Sequence, residues 1–280
     1  VINSMPFYGS HGGFIWNHRQ PVQLAQKKDM KNFFINSLFT KFGFESLTIV
    51  DPLFEKNWTP EDLPLQIEST LRIGQYSIFE SNNANVNFDE YFSKTMPAKK
   101  MWDIRKARKS ELKVGRDLSD RALVELYELH KENMLRIGGS YKSMDVFFNL
   151  PQIFKPGVDY DIYIARDGEI AIAGLCVLYF RNQVEYFIPA VKFEYRSSQI
   201  LSLLIHEAMR DAFERHKSYC WNWGGTWESQ IDLYRFKESW SALSKEYHYH
   251  TFLKPESKLF SLERSAVLNH YKYFFCFPFV

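Results

Sequence analysis

The sequence predicts an α/β (α+β) fold in which helices cover a mixed, mostly antiparallel central sheet. Three observations carry this. Between residues 119 and 252 the periodicities run helix, helix, hairpin, strand, helix, strand, helix, strand, the order of a layered α/β domain. Asp167-Gly168 lies between the strand-like runs 161–165 and 170–180, which reads as an antiparallel hairpin. The strand 184–191 is followed by a strongly amphipathic segment with Ile200, Leu203, Leu204, Ala208, Ala212 and Phe213 on one side.

Composition narrows the class. Hydrophobic residues make up 45% of 280 and charged residues 24%, so the chain can bury a real core and is not disordered. A net charge of +2 and a pI near 8.3 exclude recognition of nucleic acid by bulk electrostatics; DNA is not an expected partner. Any phosphate-bearing ligand must be held by a local patch. Cys176, Cys220 and Cys276 are widely spaced in apolar or aromatic runs, and read as reduced, buried thiols. No window approaches the ~18 apolar residues of a transmembrane segment, and nothing at the start reads as a signal peptide. The expected location is cytoplasmic, with the inner face of the membrane as the place for a lipid-linked substrate.

Taken in order, residues 1–16 are two apolar runs around Tyr8-Gly-Ser-His11-Gly-Gly13, a turn that reads equally as a hairpin loop and as a ligand-facing backbone. Residues 21–42 have helical spacing through Val22, Leu24, Met30, Phe33, Phe34, Leu38 and Phe42, and Gly43 stops them. A strand follows at 46–50, then a loop at 51–64; the run 71–79 fits no single period. Asn87 with Glu90 starts a helix that Pro97 interrupts and that continues to about Ser110. Its second half is basic, with Arg105 and Lys109 on one face. A short strand, 112–114, comes next. Ser119 caps a helix that stops near Gly138-Gly139, and Ser143 starts another that ends near Lys155. After the hairpin and the strand 184–191, the polar loop 192–198 leads into the amphipathic helix. Ser198 reads either as the N-cap of that helix or, with Arg196, Ser197 and Gln199, as an anion site at its N-terminus.

The densest stretch is 221–249, where Trp221, Trp223, Trp227 and Trp240 surround Gly224-Gly225 and a lone Lys237. It reads as a strand, a glycine turn, a helix starting near Ser229 to Asp232, and a closing strand at 247–252. Such aromatic density suits a packed wall or a flat-ring pocket, with Trp223 and Tyr234 as candidate substrate contacts. Other signatures fail. His206-Glu207 has Arg210 where a zincin helix needs its second histidine, and there is no Walker loop or dinucleotide fingerprint. His248 and His250 share a strand face but lack a third ligand in sequence, so no metal is expected.

Four pieces, Pro6–Gly13, Asp103–Ser110, Val184–Met209 and Trp221–Trp240, together resemble the GNAT N-acetyltransferase superfamily, and within it the FemABX-like branch of peptidoglycan-bridge aminoacyltransferases. The resemblance implies two GNAT-like halves. The first, degraded, comprises residues 1–95 joined by the tail 256–280; the second, the acyltransferase half, comprises 96–255. Two departures stand out. The loop expected to hold a pyrophosphate, Tyr195–Gln199, has no glycine, and no coiled-coil arm is inserted.

The resemblance implies transfer of an activated acyl group to an amine. Lys237 matches the lysine of the branch's Phe-Lys motif and is expected to stabilise an oxyanion or a phosphate. Glu185, on the strand that lines the cleft in this fold, and Asp232 are the candidates to take the amine's proton. Arg196, Ser197, Ser198 and Gln199 are the expected donor-binding corner, and Tyr8, His11, Arg105 and Lys109 the acceptor side. The expected donor is acyl-CoA such as acetyl-CoA, with aminoacyl-tRNA as the alternative. The expected acceptor is a small-molecule, nucleotide-linked or lipid-linked amino sugar. A catalytically silent GNAT-like binding module is the reading from another class.

Overall fold

The computed structural model describes residues 2–3, 12–14, 16, 22–53, 60, 63–79, 87–271 and 275. It forms two compact units. The larger comprises Gln75–Gly224 and Asp232–Leu243, and the smaller Val1–Gly74, Gly225–Ile231 and Ser244–Val280. Residues 75–95 therefore pack in the larger unit, and 225–231 and 244–255 in the smaller, whereas the sequence reading divides the chain after residues 95 and 255.

The smaller unit holds strands β1 (Ile2–Asn3), β2 (Ser46–Val50), most of β3 (Gln66–Ile78) and most of β9 (Leu243–Leu253), in the order β1-β2-β9-β3. β2 is antiparallel to β9, with Ser46 opposite Leu253 and Val50 opposite Tyr249. The run 71–79 is thus the end of a long strand. Its sequence period is obscured because the buried positions there are Arg72, Gly74, Gln75 and Ser77, while Leu71, Ile73, Tyr76 and Ile78 are only half-buried. Helix α1 (Leu24–Phe42) begins where the Gln26 side chain reaches back to the Gln23 N–H, 3.2 Å, and stops at left-handed Gly43. It buries Lys31, Ile35 and Phe39; of the residues read as its apolar stripe, Leu38 packs on the core, while Met30, Phe33, Phe34 and Phe42 are exposed. Ile35, Phe39, Phe44, Leu47, Ile49 and Phe252 form this unit's core. Helix α9 (Arg264–His270) packs Val267 on Leu253 and Leu259.

In the larger unit the strand order is β3-β8-β7-β6-β5-β4, with β4 (Lys113–Arg116), β5 (Tyr160–Asp167), β6 (Ile170–Phe180), β7 (Gln183–Val191) and β8 (Cys220–Thr226, its last two residues in the smaller unit). β4 through β7 are antiparallel neighbours, and β7 and β8 run parallel. Both sheet faces are covered. Ile162 and Ile164 of β5 meet α4 (Asp120–Arg136), α5 (Met144–Phe148) and α6 (Leu150–Ile153). Tyr163 and Ala165 point the other way, towards α2 (Phe88–Thr95), α3 (Ala98–Arg108) and α7 (Ile200–Glu214). Asn87 and Ser119 cap α2 and α4 through bonds from the Glu90 and Ala122 amides. The helix read at 143–155 is two short ones, with Pro151 in the first turn of α6. Gly224 and Gly225 lie inside β8 rather than in a turn, and α8 (Ile231–Glu238) follows. Cys176 and Cys220 are buried free thiols; Cys276 lies outside the described residues.

Charge is buried with its partners. Asp161 is fully buried on β5, and its oxygens meet Arg116 at 3.0 Å, Arg215 at 3.2 Å and the Tyr179 hydroxyl at 3.2 Å. His216 lies 3.4 Å from the same carboxylate and stacks on Tyr179 at 3.6 Å between ring centres. Between helices, Arg210 of α7 reaches Asp89 of α2, while Arg108 of α3 reaches Glu207 of α7. A buried carboxylate in such a network cannot be deleted without stranding its cationic partners. Because Arg116 and Arg215 are partly solvated and Arg215 keeps Asp211, Asp161→Ala is expected to lower unfolding free energy by about 1–3 kcal/mol, read from the urea midpoint at unchanged m-value.

Candidate active site

The site begins where β7 and β8 part. Parallel strands cannot be joined by a hairpin, so the chain leaves β7, passes through α7 and returns along β8. Their ladder pairs are Gln183 with Cys220, Val184 with Trp221, and Glu185 with Asn222; among the described residues it goes no further, although β7 continues to Val191. On its other edge β7 carries a bulge: Tyr186 stands opposite Val177 and Ile188 opposite Cys176, leaving Phe187 over. Alternation then sorts the side chains. Trp221 and Trp223 join Tyr186 and Trp240 in the core beneath α7, with Trp221 to Trp223 and Trp223 to Trp240 both 5.5 Å between ring centres. Glu185 and Asn222, the last pair of the ladder, lie on the opposite face.

A short chain of hydrogen bonds fixes that pair. Asn222 donates from Nδ2 to Glu185 Oε2 at 2.6 Å and accepts the Gly224 N–H on Oδ1 at 2.9 Å, which sets the orientation of its amide. Gly224 has φ +76°, a left-handed conformation suited to glycine, and its carbonyl accepts from Lys237 Nζ at 3.0 Å. Lys237, on the last turn of α8, is buried with 3% of its surface exposed. Burial pushes the Glu185 carboxyl up to about 7, against the opposing pull of the Asn222 hydrogen bond and the Lys237 charge. Glu185 thus sits half-ionised near neutral pH, beside a fixed cation. That is the state a general base needs.

The other sequence candidates fall elsewhere. Trp223 is core, 2% exposed, with its indole N–H on Ser77 Oγ at 2.9 Å, so it offers no surface to a substrate. Tyr234 is half-buried, and its carbonyl accepts from Gln75. Asp232 is exposed on the first turn of α8. Arg105 and Lys109 are exposed on α3, with no hydrogen bond or ion pair joining them to Glu185 or Lys237. Tyr8 and His11 lie outside the described residues. Asn222 is the residue that sequence reasoning misses; its only signal is its place between two buried tryptophans.

At the corner before α7, Ser198 is not the N-cap. Ser198 ends a turn of 3-10 helix, Phe193–Ser198, and its hydroxyl donates to the Tyr195 carbonyl at 2.6 Å instead of capping the helix. Gln199 takes the N-cap position at φ +62°, the left-handed geometry a glycine would supply at no steric penalty. Ser197 gives its carbonyl to Lys106 at 2.8 Å. Arg196 and Arg136 both lie over the exposed Phe193 ring, at 5.5 and 5.0 Å, and both donate to Asn133 Oδ1 at 3.2 Å. Two guanidinium groups held this close make a local anion-attracting patch.

Residues 98–228 match the acetyltransferase (GNAT) domain, a span that includes Glu185, Asn222 and Gly224 and ends before Lys237. No curated protein matches the sequence. Among solved structures, FemX aligns at 13% identity over 89% of this chain and 72% of its own, with a TM-score of 0.53. L-PGS from Bacillus licheniformis aligns at 12% identity over 82% of this chain and 74% of its own, with a TM-score of 0.51. At such identities the likeness is one of fold: a GNAT-like mixed sheet flanked by helices.

The raised Glu185 carboxyl carries a thermodynamic signature. The folded protein binds this proton more tightly than the unfolded chain, whose carboxyl has the ordinary value of 4.5. Its contribution to stability is therefore complete below pH 4.5 and is lost as pH rises through about 7. Relative to Glu185→Gln, the native protein should lose stability across that window, measured as the difference in urea midpoints at a series of pH values. Parallel curves for the two proteins would contradict the assigned shift.

Proposed function

We propose that this chain, whose residues 98–228 match the acetyltransferase (GNAT) domain, is an N-acyltransferase that moves an acyl group from acyl-CoA to the amine of an amino sugar or another cell-envelope glycan precursor. The observation that carries this reading is the half-ionised Glu185 at the point where β7 and β8 part. The acceptor amine attacks the acyl carbonyl carbon, forming the C–N bond. Glu185 takes the proton that nitrogen must shed, and the C–S bond breaks as the thiolate leaves. The Lys237 charge opposes the upward pull of burial on the Glu185 carboxyl, and its ammonium holds the Gly224 carbonyl; Asn222 is a positioning residue.

For the donor, the reading is supported by the glycine-free corner. Gln199 supplies the left-handed turn, the first amides of α7 have no helical partners, and Arg136 and Arg196 present donors suited to phosphate oxygens. Arg105 and Lys109 on exposed α3 suit the phosphates of a nucleotide- or lipid-linked acceptor. Among the described residues no helix is long and apolar enough to cross a membrane.

A second reading, an aminoacyl-tRNA donor, is favoured by the exposed cations of α3, which offer a polyanion a continuous basic face. Thermal-shift titration separates the readings. Stabilisation by acetyl-CoA or longer acyl-CoAs is expected, and stabilisation by uncharged tRNA alone would favour the second. No response from any of them would indicate a non-catalytic binding module.

With a substrate pair in hand, Glu185→Gln should lower kcat/KM by roughly 10²–10⁴-fold. The kcat/KM profile should rise with pH through a break near 7. Lys237→Met should move that break to higher pH, because the cation that favours the ionised carboxylate is gone. An unmoved break would remove Lys237 from its assigned role.

A further inference from the structure

We propose that Asp51, His248 and His250 form a binding site for a divalent transition-metal ion of the zinc class, held between β2 and β9 of the smaller unit. The proposal is independent of the acyl-transfer reading. His248 and His250 alternate onto one face of β9, with rings nearly parallel at 18° and centres 5.6 Å apart. Asp51 follows β2 directly, and its N–H donates to the His248 carbonyl at 2.9 Å, so the ladder carries its side chain to the same face. One ligand atom from each of the three lies within 4.8 Å of the others. Tetrahedral coordination with metal–ligand bonds near 2 Å needs ligand atoms about 3.3 Å apart, so small side-chain rotations close the set.

The surroundings match a site of this kind. Asp51 and His250 are both 3% exposed, while His248 is half-buried, leaving a path for an ion. His250 has Nε2 3.0 Å from Asp51 Oδ2, and Nδ1 2.8 Å from Ser69 Oγ on β3. If Nδ1–H donates to Ser69, the tautomer is fixed and the Nε2 lone pair points to the cluster, the outer-shell arrangement of a metal-binding histidine. Two imidazoles and one carboxylate favour zinc and its neighbours over magnesium or calcium, which prefer all-oxygen sites. Water would complete the shell.

The test uses the whole chain, stripped with EDTA and desalted. Zn²⁺ titrated by calorimetry should bind with one equivalent, Co²⁺ should give the visible absorption of a tetrahedral site, and Mg²⁺ should not compete. His248→Ala should abolish the cobalt spectrum and lower the zinc affinity by more than ~100-fold. Ser69→Ala, which leaves all three ligands in place, should lower it by about 10–100-fold. A stoichiometric site unaffected by both variants, or no zinc binding in the native protein, would overturn the proposal. In either case Asp51 and His250 would be a buried hydrogen-bonded pair and no more.

Discussion

Because β7 and β8 run parallel, the chain cannot turn back on itself between them, and much of the larger unit follows from that constraint. The return path has to be a crossover, and α7 is long and apolar enough on one face to lie against the sheet as it makes the trip. The crossover puts the 193–198 turn at one end of α7 and delivers β8 beside β7. The two strands stay paired for only three residues, so Glu185 and Asn222 become the last members of a ladder. A carboxylate at such a point is enclosed by the sheet yet faces the place where it opens. Both its raised pKa and its availability come from that position.

The aromatic wall has a different role from the one its density suggests. Trp221, Trp223 and Trp240 are wholly or almost wholly buried under α7, and Trp223 spends its indole N–H on Ser77. Their packing anchors alternate positions of β8, and the alternation of the strand puts Asn222 on the other face between two buried rings. The wall joins the site through the backbone, where the Trp240 N–H donates to the Lys237 carbonyl at 3.0 Å. The two glycines that interrupt it differ in kind. Gly224 is needed for its positive φ, and Gly225 for space, since a Cβ there would stand 1.9 Å from the Tyr247 hydroxyl.

Local chemistry made much of the fold legible. The Asn87 and Ser119 caps, the Asp167-Gly168 turn, the amphipathic spacing of α7 and the break at Pro97 each act within a few residues, and the elements they predict are present. The errors lie where long-range packing decides. The exposed side of α1 is as apolar in sequence as its buried side, and the end of β3 buries Arg72, Gln75 and Ser77, which no apolar period marks. Candidate chemistry divides the same way. Lys237 and Glu185 could be named from single positions, whereas Asn222 acquires meaning only from a partner 37 residues away, and Asp51 from one 199 residues away.

The division of the chain has a consequence for its synthesis. The larger unit is almost continuous and can complete its sheet soon after residue 243 emerges from the ribosome. The smaller unit begins first but is finished last, because β2 pairs with β9: Thr48 and Thr251, hydroxyl to hydroxyl at 3.0 Å, are 203 residues apart. At translation rates of ~5–20 residues per second, β2 waits on the order of 10–40 s for its partner. During that interval five residues that the finished protein buries lack their β9 partner, the period in which chaperone occupancy would matter most. Vectorial folding thus runs inside out, with the later-synthesised unit maturing before the earlier one closes.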